Sequence, residues 1–173
     1  IRKNNVNLTQ GSTGILYGYY NTASNTNNQN TINIDSNNLS FTHITTGSTT
    51  YGYYNAGSCA NLNVNANKIT NVSTPGTGTF YLFYVAGTVY TAEKIDDNKI
   101  VNFTRTGASG ATYGIYVPGP SVGSINVTSS MQRNKIDRMF YSNAANAGAM
   151  YGIYAYRAAC VKTVKNDTIM NCR

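Results

Sequence analysis

The stretch that decides the fold is YGYYNAGSCANLNVNANKI, residues 51–69. It holds three short motifs in order: Tyr-Gly-x-Tyr, a brief strand in which apolar residues flank a polar one, and Asn-x-Ile. The first motif recurs at 17–20, 113–116 and 151–154, and Tyr81-Leu82-Phe83-Tyr84 fills the remaining slot. Motifs that keep one order along a chain indicate a repeat protein.

The third motif gives the period of the repeat. In six places an asparagine, or in the last copy an aspartate, stands two residues before an apolar residue. The six polar residues are Asn4, Asn37, Asn67, Asn98, Asn134 and Asp167. The apolar residues lie at 6, 39, 69, 100, 136 and 169, so the steps between them are 33, 30, 31, 36 and 33 residues. Chance does not keep that order over five steps.

Each repeat contains three short runs of alternating side chains, separated by loops rich in Gly, Ser, Thr, Asn and Pro. This composition favours strands and disfavours helices. Short strands that recur at a fixed period without helices stack as a solenoid in which each coil pairs with its neighbours. The sequence therefore predicts an all-β, three-sided parallel β-helix of about five coils of 30–36 residues, with three short strands in each coil.

The corner between the second and third strands has a constant length in four coils. Five residues separate Ile34 from Leu39 and Val64 from Ile69, for example. Because an amide both donates and accepts, the asparagines at this corner are expected to form a hydrogen-bonded ladder. Asparagine also tolerates the left-handed backbone of a sharp bend. The coil through Val127–Ile136 carries four extra residues and is expected to bulge outward.

A family resemblance rests on Gly-Ile-Tyr-Val at 114–117, followed by Ile-Asn-Val and Asn-Lys-Ile. This pattern resembles the right-handed parallel β-helix repeats of the pectin-lyase-like superfamily, in which a short bend with stacked Asn separates the second strand from the third. The likeness covers essentially the whole chain. It implies a right-handed coil and no particular function, because such repeats build polysaccharide lyases, hydrolases, phage tailspikes, autotransporter passengers and long bacterial surface proteins.

The composition narrows the chemistry that 173 residues can perform. Charged residues make up 11% of the chain, against about 25% in an average soluble domain. Six acidic residues and one histidine leave little for acid–base or metal chemistry, so we expect no cofactor and no metal. The net charge of +7 is spread without a Lys/Arg cluster, which argues against nucleic acid. No apolar run of about 18 residues is present, so no membrane span is predicted.

The first strand of the coils carries the first candidate binding surface. We expect the inward side chains to be Tyr17, Tyr51, Tyr81, Tyr113 and Tyr151, together with Tyr19, Tyr53, Phe83, Ile115 and Ile153. The outward residues are then a row of glycines (Gly18, Gly52, Gly114 and Gly152, interrupted by Leu82) and a row of tyrosines (Tyr20, Tyr54, Tyr84, Tyr116 and Tyr154). Flat rings beside a glycine furrow suit a sugar or an apolar partner strip. Alternatively, the rings are covered or only stabilise the sheet.

A second candidate surface is a column of lysines, Lys68, Lys99 and Lys135, one residue before the third-motif apolar position in successive coils. Three stacked ammonium groups suit an acidic polysaccharide. The alternative is three solvated lysines that discourage pairing with other sheets.

Catalysis within this chain is not expected. The resemblance implies that an enzyme would carry Asp, Arg or Lys on the outer face of the first strand, and that face has no carboxylate in any coil. The acidic residues fall instead at the sharp corner (Asp35, Asp96, Asp97 and Asp167), near the second strand (Glu93) and in the third strand (Asp137). A glycoside hydrolase needs two carboxyls across its substrate, and a calcium site needs several oxygen ligands.

The termini and the composition complete the prediction. Residues 1–8 and 164–172 match parts of coils, so we expect 1–173 to be one β-helix segment of a longer solenoid with its caps missing. The low-charge, Asn/Thr/Gly/Tyr-rich repeat resembles the stalk of a large bacterial surface or secreted protein. Our hypothesis is a non-catalytic extracellular or cell-surface module, an adhesin-like rod or spacer that binds a glycan or a protein if it binds anything. The alternatives are part of a carbohydrate-active β-helix enzyme whose catalytic coils lie elsewhere, and a self-assembling filament subunit.

Overall fold

A computed structural model describes residues 1–10, 14–24, 29–44, 47–118, 127–145, 147–156 and 160–173, except for the side chains of residues 10, 42–44 and 160. The described residues form sixteen strands and no helix. In chain order the strands are β1 (Asn5–Gln10), β2 (Leu16–Asn21), β3 (Thr31–Asp35), β4 (Asn38–Ile44), β5 (Thr50–Asn55), β6 (Cys59–Asn65), β7 (Lys68–Thr74), β8 (Phe80–Val85), β9 (Val89–Asp96), β10 (Lys99–Arg105), β11 (Thr112–Val117), β12 (Val127–Gln132), β13 (Lys135–Tyr141), β14 (Met150–Ala155), β15 (Cys160–Lys165) and β16 (Thr168–Met170).

Every third strand along the chain pairs in parallel, which produces three sheets. Sheet 1 has the order β2-β5-β8-β11-β14, sheet 2 the order β3-β6-β9-β12-β15, and sheet 3 the order β1-β4-β7-β10-β13-β16. The chain is therefore a right-handed parallel β-helix with three strands in each coil, as the repeat predicts.

The number of coils is about four rather than the five expected. Four coils have three full strands each: β2–β4, β5–β7, β8–β10 and β11–β13. In the following coil the third side is β16, which has three residues and pairs with β13 only at 135–137. Five coils were expected because the sequence motif makes five steps, and the last of these steps ends in this incomplete side.

The core is built from columns of like side chains, because the constant coil length puts equivalent residues in register. Leu39, Ile69, Ile100 and Ile136 pair in turn across sheet 3, and each is almost fully buried. Burying one such side chain stabilises the fold by roughly 1.5–3 kcal/mol before conformational entropy is counted. The sequence period thus becomes a column of packed aliphatic groups along the axis.

The corner between sheets 2 and 3 bends at the residue before each ladder position. These residues have positive φ angles between 53° and 60°: Lys3, Ser36, Ala66, Asp97, Arg133 and Asn166. The expectation that the ladder asparagine itself takes the left-handed backbone is wrong, since φ is positive one residue earlier. The asparagines are consequently needed for their hydrogen bonds and not for their backbone freedom.

The expected outward bulge in the coil through Val127–Ile136 is also wrong. Met131 pairs with Ile95 and with Val164, which makes Met131 the last apolar residue of that second strand. From Met131 to Ile136 the corner has the same five-residue length as its neighbours. Of the predicted second-strand motif at 125–127, Val127 is the first residue of β12, and residues 125 and 126 lie outside the described residues.

The asparagine ladder is confirmed at every predicted position. The Nδ2 of Asn67 donates to Oδ1 of Asn98 at 3.1 Å and to the Ile34 carbonyl oxygen at 2.7 Å. The Asn67 backbone N–H donates to the same Asn98 oxygen at 3.1 Å. Equivalent Nδ2–Oδ1 bonds of 2.9–3.1 Å join Asn4 to Asn37, Asn37 to Asn67, Asn98 to Asn134, and Asn134 to Asp167.

Replacing Asn98 by alanine is expected to lower the free energy of unfolding by about 3 kcal/mol. The substitution removes the acceptor of the Asn67 N–H and amide, and the donor to the Val64 carbonyl and Asn134, inside a buried corner. The measurement is urea unfolding followed by circular dichroism.

The matched control is Asn63→Ala. Asn63 makes a side-chain bond of 2.9 Å to Asn33 on the partly buried outer side of sheet 2, and its loss is expected to cost less than about 1 kcal/mol. Equal losses for the two variants would show that the ladder contributes no more than an ordinary surface hydrogen bond.

Candidate functional site

The tyrosine motif of sheet 1 faces the opposite way from the sequence prediction. In β5, Thr50, Gly52, Tyr53 and Asn55 are buried, whereas Tyr51 and Tyr54 are partly exposed. The prediction that Tyr51 and its equivalents point inward and the glycines outward is therefore wrong. Pairing passes from Tyr51↔Tyr81 to Tyr53↔Phe83 without a bridge at the glycine, so two consecutive residues face the core.

The inward glycines allow sheet 1 to approach the core closely. A Cβ on Gly52 would lie 2.4 Å from the Leu82 carbonyl oxygen and 2.9 Å from Cδ1 of Ile69. A Cβ on Gly114 would lie 2.4 Å from the Gly152 carbonyl oxygen. Gly18 and Gly152 are similarly enclosed, and Leu82 is buried in the same row. The outer surface consequently has no furrow of glycines, and this row serves packing.

Ten tyrosines form two columns on the outside of sheet 1, here called the outer tyrosine columns. The first contains Tyr17, Tyr51, Tyr81, Tyr113 and Tyr151, and the second contains Tyr20, Tyr54, Tyr84, Tyr116 and Tyr154. Neighbouring rings within the columns are stacked, with centroids 4.7–5.4 Å apart. Most contacts between the columns are edge-to-face, so the surface is a herringbone of rings. Sequence reasoning identified only the second column as outward.

Stacking leaves ring edges, and not ring faces, available to a partner. Between the two ends of each outer column, the faces of every ring are covered by the tyrosines of the coils before and after it. Tyr20, at one end of its column, is 56% exposed. Each aromatic pair adds roughly 0.5–1.5 kcal/mol beyond the area that it buries. Within the described part of the chain, the hydroxyls of these ten tyrosines have no protein hydrogen-bond partner. The columns thus present a ladder of phenol edges.

An inner aromatic column links sheet 1 to the asparagine corner. Tyr19, Tyr53 and Phe83 stack at 4.8 and 4.7 Å inside the coils. The Tyr53 hydroxyl donates to the Asn37 carbonyl oxygen at 3.1 Å, next to the ladder. Burial raises the pKa of Tyr53, and the phenol therefore stays protonated.

The strands of sheet 1 carry no charged residue. Burial against the neighbouring rings, and the repulsion between phenolates, raise the pKa of Tyr51 and of Tyr81 to about 12. The same causes raise the pKa of Tyr54 and Tyr84. The strands of sheet 1 therefore present a surface without charged side chains, on which Tyr51, Tyr54, Tyr81 and Tyr84 are held in the protonated form.

The predicted lysine column is in register. Lys99 pairs with Lys68 on one side and with Lys135 on the other, at the start of three adjacent strands of sheet 3. Lys68 and Lys99 are exposed. The Nζ of Lys135 lies 3.7 Å from Oδ2 of Asp137, so this end of the column is partly neutralised. We call these three lysines the basic column.

A further polar column on sheet 3 was missed by sequence reasoning. Asn71, Asn102 and Arg138 have positive φ angles of 54°, 59° and 58° on adjacent strands. Asn102 donates to Oδ1 of Asn71 at 3.0 Å, and Nε of Arg138 donates to Oδ1 of Asn102. The signal was present in the sequence, because each residue stands four positions after a ladder asparagine.

The acidic residues are engaged by neighbouring side chains at the corner and on sheet 3. The Asp97 carboxylate accepts two bonds of 2.8 Å from Arg133, whose guanidinium lowers the pKa of Asp97. Asp96 accepts the Gln132 N–H at 3.0 Å. Asp137 accepts from Asn171 at 2.9 Å, which lowers the pKa of Asp137.

Two ionisable side chains, Glu93 and Arg105, are buried inside the coils. Glu93 is confirmed in the second strand, in the core row of Ile32 and Leu62, where it accepts from Ser129 at 2.9 Å. Arg105, which the sequence did not single out, is fully buried and donates to the carbonyl oxygens of Ala111 and Gly78. Desolvation lowers the pKa of Arg105. The guanidinium thus joins loops of successive coils.

The described residues hold no group of three or more His, Cys, Asp or Glu side chains that could bind a metal ion. The same residues contain no helix that is long and apolar enough to cross a membrane. The side chain of His43 lies outside the described residues. Comparison with protein-family models, curated protein sequences and solved structures finds no match to this chain. Its function must therefore be inferred from its own geometry.

The stability of the fold is expected to decline as the pH rises from 10 to 12. Tyr51 and Tyr81 have folded-state pKa values of about 12, above the ordinary value of 10.0, so the folded state holds its protons longer than the unfolded state. This contribution is complete below pH 10 and is lost as the pH rises through the folded-state pKa.

Urea unfolding at several pH values, together with the absorbance of tyrosinate, measures this decline. The double variant Tyr51→Phe, Tyr81→Phe keeps the rings and is expected to show a shallower decline. A free energy of unfolding that is constant between pH 10 and 12 would contradict the prediction.

Proposed function

We propose that the chain is a non-catalytic structural module, a rigid rod or spacer of an extracellular or cell-surface protein. The observation that carries the proposal is the unbroken set of ladders along the axis. The asparagine ladder bonds every coil to the next, and the outer tyrosine columns stack on the opposite sheet through the same coils.

The ladders favour a rod because they act between neighbouring coils alone. The stability of such a solenoid is a sum of coil and interface contributions, so that length increases by repetition of one unit. Each coil adds about 4.8 Å along the axis. A spacer needs this combination of stiffness and adjustable length.

The positions of the charged residues also favour a non-catalytic role. Sheet 1, the side on which an enzyme of this architecture is expected to act, carries a neutral surface of phenol edges. The adjacent pair Asp96 and Asp97 is occupied by Arg133, Gln132 and Ser130. Neither carboxylate is placed across a cleft from the other, as acid–base hydrolysis of a glycoside requires.

When the chain is stretched between its ends, its coils are expected to detach one at a time. Each event should release about 30–36 residues, or roughly 100–130 Å of extended chain. Single-molecule force spectroscopy gives the step lengths and forces. Asn98→Ala should lower the force of the step at its own corner and leave the other steps unchanged.

A single event that unfolds the whole chain at low force would contradict the role as a rod.

Antibodies against the chain should label intact cells of the source organism without permeabilisation. Release of reducing ends or unsaturated sugars from polysaccharides by the chain would favour the enzyme alternative, provided that Asp96→Asn abolishes it.

The alignment of the basic column favours a second function, the binding of an acidic glycan. The three lysines occupy paired positions on adjacent strands, whose backbones are about 4.8 Å apart. Only the last has a carboxylate within 4 Å among the described residues. A linear polyanion can therefore contact successive lysines as it lies along the axis of the solenoid.

The triple variant Lys68→Gln, Lys99→Gln, Lys135→Gln is expected to weaken binding to polygalacturonate by about tenfold, because each exposed ion pair contributes roughly 0.5 kcal/mol. Titration calorimetry at two salt concentrations measures the loss, and binding should weaken as salt rises. The matched control Lys3→Gln, Lys94→Gln, Lys162→Gln removes the same net charge elsewhere. Equal weakening in both triples would show a response to net charge and no site.

A further inference from the structure

The phenol rings of the outer tyrosine columns are partly exposed to solvent and yet lie very close to one another. Ten phenol rings lie within about 5 Å of a neighbouring ring, and the chain contains no tryptophan. Tyrosine is then the most readily oxidised aromatic side chain present. Two phenols fixed side by side react as though at very high local concentration, since the entropy of bringing them together is already lost.

The contacts between coils differ in how well they suit bond formation between rings. Stacked rings meet through their faces, whereas a biaryl bond joins carbons at the ring edges and leaves the rings twisted. Tyr81 and Tyr116, in successive coils and opposite columns, have centroids 4.9 Å apart and an interplanar angle of 56°. The other contacts of this kind are longer and nearer to perpendicular, for example Tyr51–Tyr84 at 5.2 Å and 83°.

We propose that the outer tyrosine columns are a site of oxidative cross-linking, at which a haem peroxidase and hydrogen peroxide join Tyr81 to Tyr116 and so bond two successive coils covalently. The oxidant takes one electron from each phenol, and each phenol releases its proton to water. The two radicals couple at the carbons ortho to the hydroxyls. Each coupled carbon then gives up its hydrogen as a proton, and each ring oxygen takes a proton back, so that both rings are phenols again.

The atoms and electrons of the reaction balance with the two phenols and hydrogen peroxide alone. Two phenols lose two hydrogen atoms in total, and one hydrogen peroxide is reduced to two waters. The new bond is carbon–carbon, and both hydroxyls remain. The hydroxyls of Tyr81 and Tyr116 have no protein hydrogen-bond partner in the described part of the chain, so none of the described residues holds their protons. The raised pKa of Tyr81 keeps it a neutral phenol, which loses its proton together with the electron.

The inner aromatic column provides an internal comparison. Tyr19 and Tyr53 stack at 4.8 Å and 7°, as closely as the outer rings, but Tyr53 is 1% exposed and its hydroxyl donates to the Asn37 carbonyl oxygen. Proximity without access or a free hydroxyl is therefore expected to give no link there. A link in the outer columns and none in the inner column would show that the reaction depends on exposure at the surface, and that stacking of tyrosines alone is not enough.

The test treats the chain with a haem peroxidase and hydrogen peroxide and then unfolds and cleaves it after Lys and Arg. Tyr81 lies in peptide 69–94 and Tyr116 in peptide 106–133, so the link joins two peptides with the loss of two hydrogen atoms. The expected product shows the blue fluorescence of dityrosine. An equal mixture of unlabelled and ¹⁵N-labelled chains should yield linked peptides that carry one label only.

The deciding variants are Tyr116→Phe and its matched control Tyr113→Phe, which both keep the ring and remove one phenol of the same peptide. Tyr116→Phe is expected to reduce the linked peptide at least fivefold, whereas Tyr113→Phe should leave it. The proposal would be overturned by the opposite result, by equal losses in the two variants, by linked peptides of mixed label, by a Tyr19–Tyr53 link, or by the absence of any link. Circular dichroism of both variants checks that the coils are intact.

Discussion

The hydrogen-bonded column of asparagines between sheets 2 and 3 is the interaction on which the other columns depend. Each amide receives two donors from the coil before it and donates to the coil after it, so neighbouring coils fit in one register only. A slip by one residue would place buried donors opposite no acceptor, at a cost of several kcal/mol. Once that corner is fixed, Ile69 must lie beside Ile100, Lys68 beside Lys99, and Tyr51 beside Tyr81.

The same register explains the composition. A side chain that recurs in every coil stands about 4.8 Å from its copies, and a column of like charges repels itself at that distance. Asparagine, tyrosine and isoleucine stack without this penalty, which accounts for a chain with 11% charged residues. Where charge does recur, in the basic column, Lys135 lies 3.7 Å from the carboxylate of Asp137. The uncompensated part of the basic column, Lys68 and Lys99, is exposed to solvent.

The fold was predictable from the sequence, whereas the faces of sheet 1 were not. The ladder could be identified because its period and its five-residue corner can be read directly from the amino-acid sequence. Strict alternation misassigned the faces of Tyr-Gly-x-Tyr, because Gly52, which has no bridge, and Tyr53 both face the core. The glycine is needed for a close approach to Ile69, which depends on a strand on the other side of the coil. Arg105 was missed for a similar reason, since its partners Gly78 and Ala111 come together only in the stacked coils.

The orientation of the tyrosines decides what kind of surface sheet 1 is. Had the glycines faced outward, the second column would have stood beside a groove, and sugars could have stacked on its rings. With both columns outward, the rings cover one another, and a partner meets hydroxyls and edges with no charge nearby. Such a surface contributes most to the solenoid itself, because every ring pair couples one coil to the next. The exposed phenols make those contacts chemically reactive as well as cohesive, since a stacked ring that lies at the surface is open to an oxidant and a buried one such as Tyr53 is not.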